Sequence, residues 1–144
     1  VEYPDRAAER DIMLHTTGAD EAGPAPAMTA AELTAAQRLV RRIPVGESVT
    51  EAILTLVRAG RPDTSDIPEV RAYVAWGPGP RASQALMLAA RARALMDGRF
   101  APSIDDVLAL APPVLRHRMA LSFAARAEGM TVDRIVERLC ATVA

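Results

Sequence analysis

The chain has no lysine and no asparagine, so all 17 of its basic residues are arginine. That absence excludes chemistry. A phosphate-binding loop of the form GxxxxGK(S/T) needs its lysine on the β- and γ-phosphates. A Schiff base or a lysine general base is equally impossible. Exclusive arginine together with abundant alanine is the mark of GC-rich codon usage. A single cysteine, Cys140, excludes an intramolecular disulfide and a cysteine-cluster metal site. One Trp, two Tyr and two Phe leave any core to Ala, Leu, Val, Ile and Met. No apolar run approaches the roughly 18 residues of a membrane span. A net charge of −1 lacks the basic excess of a general nucleic-acid binder. The opening Val1-Glu2-Tyr3-Pro4 has no signal-peptide pattern and reads like the interior of a longer chain.

What is present is helical. The 144 residues suit one domain or part of a larger protein. A chain of this size can bury about 68–70% of its unfolded surface. Pro4 fits a first helical turn, with Ile12 and Met13 further along and Gly18 as a stop. Residues 18–28, rich in Gly and Pro and poor in large apolar side chains, read as a flexible loop. Thr29 and Glu32 form a capping box, followed by Leu33, Ala36, Val40 and Ile43 at helical spacing, with Pro44 as the end. Val49, Ile53, Leu56 and Val57 mark a third helix closed by Gly60. Val70 to Trp76 fits either a short strand or a helical turn. A long helix from Arg81 to Asp97 carries a stripe of Ala85, Leu88, Ala89, Ala92 and Leu95. Ser103 caps the next helix, which Pro112 and Pro113 are expected to interrupt. Thr131 caps the last, whose stripe is Val132, Ile135, Val136, Leu139 and Val143. The fold class is therefore all-α: a bundle of six or seven helices with at most one short strand.

The sharpest feature is Trp76-Gly77-Pro78-Gly79-Pro80-Arg81-Ala82-Ser83. A Gly/Pro turn delivers an arginine into the first turn of the longest helix. The first N–H groups of a helix lack partners inside it, and its positive dipole end favours anions. A cation there is misplaced by about 0.3–1 kcal/mol when exposed. Arg81 and the helix end would agree if both faced one anion, whose phosphate oxygens a guanidinium fork suits. The alternative is an Arg81 extended into water.

From Tyr73 to about Arg118 the sequence resembles the C-terminal helical lid of MoxR-type AAA+ ATPases. "WGPGPRASQALMLAARARALMDGR" is similar to their sensor-2 region, GxSPRA followed by a long Ala/Leu helix. "SIDDVLALAPPVLRHRM" resembles the segment that follows it, "LVRAGRPD" a family L-V-x-x-T-R stretch, "YPDRAAERDIM" the stretch after the last ATPase-domain strand, and "EGMTVDRIVERLCATV" the terminal helix. The likeness extends over nearly the whole chain, least over 18–27. Two departures stand out: Gly60 where Thr is common and Gly79 where Ser is common. The resemblance implies a single lid domain over 1–144, part of a longer ATPase. It implies that Arg81 is the sensor-2 residue reaching the ATP γ-phosphate, and that ATP and Mg²⁺ are held by an α/β domain outside this chain. By itself the chain would not be an enzyme. The family further implies a cytoplasmic, usually hexameric, chaperone-like ring and partners with von Willebrand factor A domains. Lid movement would hinge near Tyr3–Pro4, with neither membrane nor nucleic acid involved.

The other polar groups read as structural. Arg116-His117-Arg118 complements the negative end of a helix, with a ring contact as the alternative. His15 and His117 stand apart and have no metal-ligand spacing. Asp105 and Asp106 lie in a first helical turn, where capping explains them better than acid–base chemistry. Cys140 reads as a small core residue, and Trp76 as packed beneath the turn. The competing function is a stand-alone helical interaction or regulatory module.

Overall fold

The computed structural model describes residues 3–19, 23 and 25–143. Two compact units divide the chain, Val1–Leu33 and Thr34–Ala144.

In the first unit lies α1 (Arg6–Thr16). Its N-cap is Asp5, whose carboxylate accepts the Ala8 N–H at 2.8 Å. Pro4 therefore stands just outside the helix rather than in its first turn: a carboxylate that accepts an orphan N–H decides the boundary. No residue of α1 is buried, and Ile12, Met13 and Leu14 are each about half exposed. The loop expected over 18–28 includes 20–22 and 24, which lie outside the described residues.

Helix α2 (Ala30–Val40) starts at the expected capping box. The Thr29 N–H donates to Glu32 Oε2 at 2.7 Å, and the Glu32 N–H to Thr29 Oγ1 at 3.2 Å. The helix stops at Val40, short of Pro44, because the residue before a proline is pushed out of the helical region. That residue, Ile43, is buried, whereas nothing in α2 is.

The rest of the second unit is α3 (Glu47–Ala59), α4 (Pro68–Tyr73), β1 (Val74–Trp76), α5 (Pro80–Met96), α6 (Ile104–Leu115), β2 (Ala120–Leu121), α7 (Phe123–Ala127) and α8 (Val132–Cys140). Helix α5 packs on α6 and α3, and α8 closes against the same two. Ile53, Leu56, Leu86, Leu115, Ile135 and Leu139 are the largest aliphatic side chains of this core. The all-α class is observed. Among the described residues there are eight helices, and the one anticipated strand has found a two-residue partner too short to show periodicity.

Three expectations are corrected. The buried face of α5 is Ala82, Leu86, Ala90 and Ala94, while Ala85, Leu88, Ala89, Ala92 and Leu95 are half-buried. Alanine lies on every side of this helix, so hydrophobicity alone cannot choose its inner face. Helix α6 runs through Pro112 and Pro113 to Leu115. Each proline removes one N–H from the ladder. Pro113 and Ala109, whose carbonyl loses its partner, are both exposed, so water can take over that bond, and the Arg116 N–H resumes the ladder on Pro112 O at 3.1 Å. Trp76 is 54% exposed rather than packed under the turn. Strand β1 pairs antiparallel with β2 as Val74↔Leu121 and Trp76↔Ala120, so a bulge separates the two pairs. Alternation would put Trp76 on the buried face with Val74, and the extra residue turns it out.

Candidate anion site at the start of α5

Helix α3 ends at Gly60, which is buried, and the next residues are tied to it. The Arg61 N–H donates to Arg58 O at 3.1 Å and the Thr64 N–H to Arg61 O at 3.2 Å. The buried Ser65 hydroxyl donates to Ala59 O at 2.6 Å. The turn from β1 into α5 lies on this helix end. A Cβ on Gly77 would come within 2.2 Å of Gly60 O and 2.9 Å of Arg61 Cα, so only glycine fits there. A Cβ on Gly60 would meet the Pro78 ring at 2.9 and 3.0 Å and Leu139 Cδ1 at 3.2 Å. Pro78 is fully buried, and its carbonyl accepts the Arg61 Nε–H at 3.2 Å.

From this seat the chain rises into α5. Gly79 is its N-cap and offers no side-chain hydrogen bond, and Pro80 takes a first-turn position where its missing N–H does no harm. The first turn contains no acidic residue. Arg81 is exposed and makes no ion pair or side-chain hydrogen bond among the described residues. An uncapped positive helix end and a free guanidinium thus share one short segment, held by glycines and a buried proline. Such an arrangement is chemically suited to an anion, phosphate oxygens above all.

The remaining candidates are occupied elsewhere. Asp106 accepts two bonds from Arg99, both at 2.7 Å, and Arg93 Nε stands 3.1 Å away. Its Oδ2 also accepts the Ser103 N–H at 2.8 Å in a complete capping box. The bonds from Arg99 first, and then those from Ser103, hold its carboxyl down at about 2 against the opposing effect of burial. Arg116 pairs with Asp133 at 2.8 Å, and Arg118 donates to Val114 O, a helix-end carbonyl, at 2.7 Å. His15 Nδ1 lies 2.8 Å from Asp11 O in its own helix. Cys140 is half-buried against the core, and burial pushes its thiol pKa up, away from a nucleophile.

Residues 69–139 match the AAA lid domain family. Over its full length the chain is 30% identical to the chaperone MoxR1 of Mycobacterium tuberculosis, and it spans 38% of that protein. The chain carries an AAA lid domain of the MoxR type. This lid is also 36% identical over 107 residues to the uncharacterised protein YeaC of Bacillus subtilis, covering 74% of the chain and 31% of YeaC. The crystal structure of an ATPase candidate from Cytophaga hutchinsonii superposes with a TM-score of 0.81 over 96% of the chain and 43% of that protein. At 23% identity, this last likeness speaks for the fold. The chain thus spans well under half the length of the relatives it matches.

Both departures from the family pattern become intelligible in the lid. A Cβ on Gly79 meets nothing within 4 Å, so the serine common in the family would fit. Gly60 is different, because the Pro78 ring fills the space that a threonine Cβ would need. Sequence reasoning singled out Arg81 and missed Arg61, Gly60 and Gly77 as its support. Their contacts join residues 17 positions apart, beyond the reach of local periodicity.

Proposed function

We propose that this lid works within a longer AAA+ ATPase and that Arg81 is its sensor-2 residue. In this reading Arg81 and the open N-terminus of α5 approach the γ-phosphate of ATP bound in an adjoining α/β domain. No cluster of three or more His, Cys, Asp or Glu among the described residues could hold a metal ion, so the ligands of Mg²⁺ would come from that domain. The guanidinium would favour the charge that develops on the transferring phosphoryl group. Loss of that phosphate would release the lid, and the rigid-body motion would drive remodelling or maturation of a partner protein. A ring of subunits, partners with von Willebrand factor A domains and a cytoplasmic setting complete the proposal. Among the described residues, no helix is long and apolar enough to cross a membrane.

The observation that carries the reading is the unpartnered Arg81 at the uncapped start of α5. The lid-family match and the likeness to a MoxR chaperone support it. The test is Arg81→Ala in the full-length protein. A charge-assisted contact is worth about 1.5–3 kcal/mol, so ATP turnover should fall about ten- to a hundred-fold. Wild-type turnover by this variant would sink the assignment.

A further inference from the structure

We infer that Arg61 is a positioning residue for Arg81, acting through the carbonyl of Pro78. The inference rests on the sensor reading of Arg81. The root of Arg61 is fixed, because its N–H donates to Arg58 O in the last turn of α3 and its C=O accepts the Thr64 N–H in the turn that follows. Its Nε–H reaches across to Pro78 O at 3.2 Å, three residues before Arg81. That bond is the one polar side-chain link between the α3 end and the turn among the described residues, and everything else there is steric contact with Gly60 and Gly77. Pro78 has no N–H of its own to anchor the turn. Gly77 is wedged against Gly60 and the Pro78 ring is buried, but these steric contacts do not aim the Pro78 carbonyl, and Gly79 after it has no side chain to do so. The bond from Arg61 fixes that carbonyl, and so it sets where the first turn of α5, with Arg81 on it, stands. Its two Nη groups have no partner among the described residues. The contact that orders the turn is therefore the Nε–H and not an ion pair.

This distinction can be measured. Glutamine places an amide N–H donor at the same bond distance from the backbone as arginine Nε, without the charge. Methionine keeps the length and the apolar stem but has no donor. In the full-length ATPase, Arg61→Gln should turn over ATP within about two-fold of wild type. Arg61→Met should lower kcat about three- to ten-fold, the range of one hydrogen bond. The double variant Arg61→Met/Arg81→Ala should be no slower than Arg81→Ala alone, because Arg61 acts through Arg81. A merely structural arginine would lower activity by the same factor in both backgrounds, and that additivity would overturn the inference while leaving the sensor reading intact. An Arg61→Gln variant as slow as Arg61→Met would also overturn it, since the charge would then be the active element. If Arg81→Ala itself runs at the wild-type rate, the sensor reading fails and the role of Arg61 fails with it.

Discussion

Asp106 is only 3% exposed, yet it is ionised and stands between two arginines. Arg93 comes from α5 and Arg99 from the connection to α6, so one carboxylate joins the two most closely packed helices and also caps the second. Folding lowers its pKa from 3.8 to about 2. Between these values the unfolded chain binds the proton and the folded chain does not. The stabilisation is complete above about pH 5 and is lost as pH falls through about 2. Asp106→Asn should destabilise the fold at pH 7 by about 2–3 kcal/mol, since it takes from Arg93 its one ion-pair partner among the described residues and leaves Arg99 with Asp97 alone, at 2.8 Å. Urea unfolding checks this, and the gap between variant and wild type should narrow steadily from pH 5 down to pH 2. The capping role of Asp106 was legible in the sequence, because a capping box is a contact over three residues. Its arginine partners were not, because they depend on how α5 lies on α6.

At the scale of elements, the same division separates what could be read from what could not. Helices α3 and α8 show a clear apolar stripe, and the residues expected inside them, such as Ile53, Leu56, Ile135 and Leu139, are buried. Helix α5 is built from alanine on all sides, and its inner face was read wrongly for that reason. The turn before α5 was legible as a breaker, but its seat on the α3 terminus was not. That seat yields a prediction about two positions jointly. Gly60→Ala would place a methyl group 2.9 Å from the buried Pro78 ring. We expect it to destabilise the protein by about 1–3 kcal/mol, the usual range of overpacking. Adding Pro78→Ala removes the obstructing ring atoms, so the double variant should be more stable than the sum of the two single changes allows. Thermal unfolding of the four proteins measures the coupling. Simple additivity would mean that the ring moves aside and that the two positions are independent.

Across the whole molecule the apolar burial is uneven. Helices α3, α5, α6 and α8 supply most of the fully buried side chains, whereas α1 and α2 bury none. Their apolar groups are not missing: Ile12, Met13, Leu14, Leu33 and Leu39 stand about half exposed. Helices as short as these are marginal in water unless an apolar face is covered. Local opening should therefore be far easier in α1 and α2 than in the core helices. Hydrogen exchange on the 144-residue chain is expected to show rapid exchange along Arg6–Thr16 and Ala30–Val40, with the slowest amides in α3, α5 and α6. If the chain is the lid of a longer ATPase, amides in α1 and α2 should become protected in the full-length protein, because the exposed leucines and their neighbours would then meet a covering surface. Equal exchange in both settings would leave these faces in water and would favour a lid that touches its ATPase domain only near the α5 terminus. The helical spacing of Leu33, Ala36 and Val40 was legible in the sequence, but which of them is covered was not: Val40 is half-buried while Leu33 and Ala36 stand exposed, and that difference depends on tertiary packing.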